Sequence, residues 1–175
     1  YEDSLNRLGL NAIDALAIHD LDLKHHGNWE TVTEYLDQLS NEKGYRRLRD
    51  LKDSGEIKAI GVGINHIGMI PAFLERFEVD YFLVAMPYTL LDQPALDEEF
   101  GLCEAAGVHV IIGAVFASGI LATGSANAGI YNYNPPDAGV LERVRSIEAV
   151  CARHEVNLSA AALQFPLAHP VAVSY

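Results

Sequence analysis

Apolar residues along the chain fall into short runs that alternate with stretches of helical spacing. Five runs rich in branched and aromatic residues predict strands, at Ile13–Ile18, Ile57–Gly63, Asp80–Ala85, Val108–Gly113 and Val171–Tyr175. The middle three are almost continuously apolar, which is typical of strands buried on both faces. Repeated strand–helix–strand units predict an α/β fold with a parallel sheet and right-handed crossovers.

Between the predicted strands, apolar residues recur every three to four positions, as on one face of a helix. Three such stripes are Tyr45, Leu48 and Leu51; Ile67, Ile70, Phe73, Leu74 and Phe77; and Leu141, Val144, Ile147 and Cys151. Leu96 to Ala106 predicts a further helix, and Ser159 is placed to cap another that ends before Pro166. Long connections, residues 20–42 and 114–137, follow the first and fourth strands. Ligands bind at that edge of parallel sheets, so these connections indicate function.

Length and charge limit the classes of protein that this chain can belong to. Its 175 residues predict a single domain spanning 1–175. A net charge of −12 argues against a nucleic-acid or anionic-membrane partner, because either needs a basic face. The longest apolar stretch, Val110 to Ala122, is shorter than the roughly 20 residues of a spanning helix. Two distant cysteines, Cys103 and Cys151, predict buried reduced thiols in a cytoplasmic protein.

Two functions that are common among α/β proteins, Rossmann-type dinucleotide binding and Schiff-base catalysis, fit the motifs poorly. Gly61-Val62-Gly63 follows a strand as a dinucleotide-binding fingerprint does, but the third glycine position is His66. The acidic Asp80 falls at the start of the next strand, where it cannot meet a ribose. A Schiff-base enzyme needs a lysine at the carboxyl end of a strand. The four lysines, Lys24, Lys43, Lys52 and Lys58, all lie elsewhere.

The strongest candidate for chemistry is His19, which follows an apolar run and belongs at the carboxyl end of a strand. A structural histidine at such an edge is equally common, so this position alone is not decisive. Asp20 and Asp22 with His25 and His26 suggest a metal site, but nothing else supplies ligand spacing, and no metal is expected. Residues 117–124 are rich in small side chains. Such a loop either lets backbone N–H groups approach a phosphate or is simply a tight turn.

Taken together, four ordered segments resemble the aldo-keto reductase family. Residues 13–20, IDALAIHD, resemble its "IDLxLIH" strand, and residues 55–62, GEIKAIGV, resemble its "GKIRAIGVSN" strand. Residues 88–92, YTLLD, are similar to "YNLLD", and residues 116–124, FASGILATG, to "PLAGGLLTG". The resemblance implies a (β/α)8 TIM barrel, of which this chain covers about strands 4 to 8, its central and C-terminal part.

That resemblance also implies roles for particular residues. In the family a hydride passes between NAD or NADP and a carbonyl or alcohol, and a histidine orients the reacting oxygen. By position that histidine is His19. Asn65 matches the asparagine that holds the nicotinamide carboxamide, and the backbone of Phe116, Ser118 and Gly119 matches the cradle for the pyrophosphate. The chain is similar to a branch of sugar 1-dehydrogenases and pyridoxal 4-dehydrogenases, which oxidise cyclic hemiacetals to lactones.

Several family positions differ here. The serine before the asparagine is replaced by Gly63 or Ile64, a carboxamide-binding glutamine by Ala85, and a nicotinamide-stacking tyrosine by Gly113. The family's catalytic aspartate, tyrosine and lysine lie on segments before the first strand seen here, so we expect them upstream of Tyr1. The adenosine-binding residues are expected after Tyr175. The alternatives to an active oxidoreductase are a non-catalytic accessory protein of the family and an inactive barrel fragment.

Overall fold

Five parallel strands form one sheet in a computed structural model that describes residues 1–41 and 43–175. The strands are β1 (Ala15–His19), β2 (Ala59–Ile64), β3 (Tyr81–Val84), β4 (His109–Ile112) and β5 (Ala172–Ser174). Each lies within two residues of its predicted bounds. Their spatial order is β1-β2-β3-β4-β5, the same as their order along the chain. A doubly wound sheet reverses its strand order at a switch point, so the observed order is that of a barrel wall.

The helices are α1 (Glu2–Leu8), α2 (Leu23–His26), α3 (Trp29–Asn41), α4 (Gly44–Asp53), α5 (Met69–Leu74), α6 (Glu99–Ala106), α7 (Ile120–Thr123), α8 (Ala138–Arg153) and α9 (Leu158–Gln164). Short 3-10 turns cover Pro94–Leu96, Ala117–Gly119, Ser125–Asn127 and Phe165–Ala168. Among the described residues, no helix is long and apolar enough to cross a membrane.

Two details of the predicted helices are wrong, and two further helices were not predicted. The stripe from Ile67 to Phe77 is helical only over α5, because Gly68 precedes the helix with a left-handed φ of 90°. Ser159 does not cap α9; the side chain of Asn157 does, accepting a hydrogen bond from the Ser159 amide. The connection after β1 also contains two helices, α2 and α3.

The sheet is buried mainly on one face. Phe82 and Val84 are fully buried beneath the helices, whereas Leu83 between them is 37% exposed. Burial of the middle strands on both faces was therefore a wrong prediction for β3, because the described chain covers its second face incompletely. The core lies on the helix side, where α4, α5 and α6 pack on the sheet. The free thiols of Cys103 and Cys151 are both buried, as predicted.

Candidate active site

All five predicted site residues lie at the carboxyl edge of the sheet. His19 is the last residue of β1, and Asn65 directly follows β2. Phe116, Ser118 and Gly119 lie in the connection after β4. Because the strands are parallel, their carboxyl ends share one edge. The fold thus brings residues that are 100 positions apart in sequence to the same side of the molecule.

The imidazole of His19 lies across the neighbouring strand at Gly63, its register partner. A Cβ atom on Gly63 would lie only 2.6 Å from Cδ2 of His19, so only glycine leaves room for the ring in this position. The other side of the ring faces a carboxylate, since His19 Nδ1 lies 3.1 Å from Oδ2 of Asp20. The His19 side chain is 68% exposed. Its Nε2 atom takes part in no hydrogen bond or ion pair with the described residues, so it is available to a ligand.

Asn65 is held through its backbone and lines a cleft of about 320 Å³. Its amide N–H donates to Oδ2 of the buried Asp22, at 3.2 Å. The cleft is lined by Asn65, His66, Ile67, Met86, Pro87, Asp92, Pro94, Tyr131 and Asn132. The Asn65 side chain makes no hydrogen bond within the described residues and borders this space. The site therefore offers a free amide beside a mainly apolar cleft.

The connection after β4 has an unusual backbone. Ala117, Ser118 and Gly119 have consecutive positive φ angles of 47°, 61° and 104°, following Phe116 with a φ of −91°. Runs that switch from right-handed to left-handed conformation form concave nests of N–H groups that bind anions. Among the described residues, the amides of Phe116 and Ser118 have no hydrogen-bond acceptor. A Cβ on Gly119 would likewise meet no described atom within 4 Å, so the loop is open at this point.

The carboxylate of Asp92 also holds the connection after β4 at this edge, which the sequence did not predict. The hydroxyl of Tyr131 donates to Oδ2 of Asp92 at 2.5 Å, and Arg143 on α8 donates to Oδ1 of the same carboxylate at 2.6 Å. Burial, together with the bond to Asp92, raises the pKa of Tyr131 to about 12. Such a phenol does not exchange protons readily near neutral pH. Tyr131 therefore holds the connection after β4 in place and is unsuited to act as the catalytic acid.

A cation–π contact joins the two long connections directly. Nζ of Lys24, on α2, lies 3.0 Å from the ring centroid of Tyr133. This cation–π contact links the connection after β1 to the one after β4. Together with the Tyr131–Asp92 bond it holds residues 131–134 close to the candidate site. The sequence did not predict the contact, because residues so far apart carry no local signal of pairing.

The histidines and carboxylates after β1 do not form a metal cluster. No group of three or more potential ligands is arranged to hold an ion within residues 1–41 and 43–175. Instead, His25 Nδ1 bonds Asp22 Oδ1 at 2.8 Å, and His25 Nε2 lies 3.4 Å from Asp20 Oδ1. Two of the four lysines lie at the opposite edge of the sheet: Lys58 pairs with Asp14 before β1, and Lys52 pairs with Asp80 before β3.

Comparison with known proteins matches this architecture to one family. The sequence profile of the aldo/keto reductase family matches residues 1–174. Pyridoxal 4-dehydrogenase of Microbacterium luteolum is 34% identical over 169 residues, which are 97% of this chain and 49% of that protein. D-threo-aldose 1-dehydrogenase of a Pseudomonas species is 34% identical over 166 residues, 94% of this chain and 47% of that protein. The chain spans about half the length of these curated relatives.

Solved structures of aldo-keto reductases have the same fold as this chain. Aldo-keto reductase AKR11C1 from Bacillus halodurans, in its apo form, superimposes with a TM-score of 0.69 at 22% identity over 99% of this chain and 53% of that one. The glycerol dehydrogenase AKR11B4 of Gluconobacter oxydans gives 0.68 at 19% identity, over 99% of this chain and 51% of that one. The five-stranded sheet is therefore part of a (β/α)8 barrel. With its profile match extending over nearly every residue, the chain belongs to the aldo/keto reductase family.

Proposed function

We propose that the protein is an NAD(P)-dependent oxidoreductase acting on a carbonyl or hemiacetal, such as an aldose or pyridoxal. The observation that carries this proposal is the placement of His19 over Gly63, at the carboxyl edge that also holds Asn65 and the loop at 116–119. The names of the two 34% identical relatives, a pyridoxal 4-dehydrogenase and an aldose 1-dehydrogenase, support the substrate class.

The residues at this edge fit a nicotinamide dinucleotide. The free amides of Phe116 and Ser118 and the open Gly119 suit a pyrophosphate, which binds to backbone N–H groups without a basic side chain. The unpaired side-chain amide of Asn65 suits a carboxamide. When bound, the cofactor would supply the hydride acceptor or donor.

His19 would orient the oxygen of the substrate in this reaction. Its Nδ1 is occupied by Asp20, so Nε2 is the atom that can reach a carbonyl or hydroxyl oxygen. A ring that contacts Asp20 through one nitrogen and leaves the other nitrogen free can give the directional contact that orientation requires. Gly113 lies close to the neighbouring strand, since a Cβ on Gly113 would lie 3.0 Å from Cδ2 of Leu83 and 3.6 Å from the Cβ of Ala85.

The proton donor of the reaction would come from outside the chain described here. Tyr131 is unsuited because its hydroxyl is bonded to Asp92 and its pKa is raised to about 12. The resemblance places the catalytic aspartate, tyrosine and lysine on earlier strands. We infer that residues 1–175 are the central and C-terminal part of one barrel domain, corresponding to strands 4 to 8. The half-exposed second face of the sheet, at Leu83, would be covered by the remaining strands. The two buried free thiols favour a cytoplasmic location.

The test is turnover by the full-length protein with NAD and NADP, using aldoses and pyridoxal as substrates. Replacing His19 with Ala should lower kcat by at least about 100-fold and change the Kd for the dinucleotide by less than about threefold. His109→Ala, an exposed histidine at the opposite edge, is the matched control and should leave both constants unchanged. Equal losses of turnover and affinity in H19A would contradict the role of His19. Dinucleotide binding without any turnover would favour the non-catalytic alternative.

A further inference from the structure

Asp22 is a fully buried carboxylate that joins two connections at the candidate site. None of its surface is exposed. Oδ1 accepts hydrogen bonds from His25, from the backbone N–H at 3.2 Å and from Nδ1 at 2.8 Å. Oδ2 accepts the N–H of Asn65 at 3.2 Å. One carboxylate thus holds both α2, in the connection after β1, and the first residue after β2.

The contacts continue from His25 to the candidate catalytic histidine. His25 Nε2 lies 3.4 Å from Oδ1 of Asp20, whose Oδ2 lies 3.1 Å from Nδ1 of His19. Asp20 has a left-handed φ of 58°, which places its side chain between the two imidazoles at a turn directly after β1. An unbroken series of polar contacts therefore runs from Asn65 through Asp22, His25 and Asp20 to His19.

The charge on Asp22 is stabilised despite its burial. Burial by itself raises the pKa of this carboxyl group, but the hydrogen bonds from His25 and Asn65 outweigh that effect and bring the pKa below its usual value. Burying an ion is costly unless every contact is satisfied. An isolated structural role in capping α2 would need only the bonds to His25. The additional bond to Asn65 connects this carboxylate to the site.

We infer that Asp22 is a positioning residue for the proposed reaction, fixing Asn65 directly and His19 through His25 and Asp20. This inference rests on the function proposed above. The ionised carboxylate accepts from both connections at once. An asparagine has one accepting oxygen and one donating nitrogen, so it can serve only one of the two connections. Asp22→Asn should therefore break the series while preserving the shape of the side chain.

The experiment compares Asp22→Asn with Asp14→Asn in the full-length protein. Asp14 directly precedes β1, is 77% exposed and, among the described residues, pairs only with Lys58, so it is a matched control. We expect D22N to lower kcat by at least about tenfold with KM for the carbonyl substrate changed by less than about threefold, and D14N to change neither. A kcat for D22N within twofold of the wild type would overturn the inference.

Nuclear magnetic resonance supplies a readout independent of turnover. In the wild type we expect a proton on Nδ1 of His25, which lies 2.8 Å from the Asp22 carboxylate, and an Asn65 amide proton shifted downfield by its carboxylate acceptor. In D22N at least one of these two signatures should be lost. Retention of both would overturn the inference even if the protein binds no dinucleotide, and their loss in a protein without turnover would reject the proposed function alone.

Asp20→Asn keeps the inference testable if D22N does not fold. Asp20 is 42% exposed, and asparagine tolerates its left-handed backbone, so this variant should fold. It interrupts the series beyond His25 while leaving the Asp22–Asn65 bond intact. We expect D20N to lower kcat without changing the Asn65 amide shift. An unchanged kcat in D20N would contradict the connection between Asp22 and His19.

Discussion

At the scale of single residues, the candidate site depends on space as much as on chemistry. His19 was predicted from its place after an apolar run. What lets its ring lie over the sheet is Gly63 on the next strand, whose sequence context suggests a dinucleotide-binding fingerprint or a replaced serine but not this contact. The link between them is a register pair, His19 with Gly63, and pairing between strands 44 positions apart has no local signature in the sequence.

Gly63→Ala should move the His19 ring and lower turnover with little effect on stability. The added Cβ would lie 2.6 Å from Cδ2 of a largely exposed ring, which can rotate away at low cost. We expect kcat in the full-length protein to fall by at least about tenfold, because small displacements of a catalytic group have large effects.

The control for this variant is Gly101→Ala. Gly101 lies within α6, and no described atom is within 4 Å of its Cβ position, so alanine should raise the free energy of unfolding by up to about 1 kcal/mol without changing kcat. Turnover of G63A equal to that of the wild type would show that the His19 ring does not act from its position over β2.

The buried carboxyl group of Glu99 should make the free energy of unfolding depend on pH. It is 2% exposed, its Oε1 accepts the N–H of Gly68, and its Oε2 has no partner among the described residues. Burial raises the pKa of this carboxyl group, and the backbone hydrogen bonds oppose the shift only in part. A raised pKa in the folded state stabilises the protein below the usual value of 4.5, and this contribution is lost as the pH rises through the folded pKa.

Glu99→Gln should therefore gain stability relative to the wild type as the pH increases. The amide oxygen can still accept from Gly68, while the cost of burying a charge disappears. Urea unfolding at pH 5 and pH 8 measures the difference, and the variant Glu104→Gln, at an exposed position of the same helix, should show none. If the difference in free energy of unfolding between E99Q and the wild type does not vary with pH, the pKa of Glu99 is not raised in the folded protein.

At the scale of elements, the strands were predictable and the connections were not. Strand bounds agree to within two residues, because a run of apolar residues ends where the backbone leaves the sheet. The helix expected over Ile67 to Phe77 is shorter, since Gly68 adopts a conformation that no helix interior allows. The cation–π pair of Lys24 with Tyr133 joins distant connections, which periodicity does not reveal.

The opposite edge of the sheet is held by Asp80, which links three elements. Its carboxylate accepts the N–H of Ile60 on β2 at 2.8 Å and pairs with Lys52 of α4 at 2.5 Å. Burial opposes the charge, but these hydrogen bonds outweigh it and lower the pKa of Asp80. Asp80→Asn should reduce the free energy of unfolding at pH 7 by about 1 kcal/mol, a value discounted for its partial exposure.

A lowered pKa also fixes how this difference varies with pH. The stabilisation by Asp80 is present above its usual pKa of 3.8 and is lost as the pH falls through the folded pKa. The free energies of unfolding of D80N and the wild type should therefore converge as the pH falls below 3.8 and through the folded pKa of Asp80. The control is Asp53→Asn, because the pair of Asp53 with Arg49 at 3.7 Å is exposed to solvent and should contribute little to stability. An effect of D80N no larger than that of D53N would refute the role of Asp80 in joining α4 to the sheet.

At the scale of the whole molecule, the second face of the sheet is the feature that length and composition did not reveal. A chain of 175 residues is sufficient for a complete domain, yet Leu83 is 37% exposed at the centre of the sheet. The strands lie in sequential order, and the chain matches about half the length of its relatives. Both findings fit a sheet that is one part of a barrel wall, so that one of its faces is left exposed in the described chain. The motifs allowed the family to be predicted because several occur in order, although each alone is weak.

Dinucleotide binding by the full-length protein can be measured by calorimetric titration with NADH and with NADPH. We expect one dinucleotide to bind per chain, because the open loop at Phe116 to Gly119 and the free Asn65 amide lie at one edge of the sheet. We also expect H19A to bind with an affinity close to that of the wild type. A folded full-length protein that binds neither dinucleotide would show that the protein is not an NAD(P)-dependent oxidoreductase.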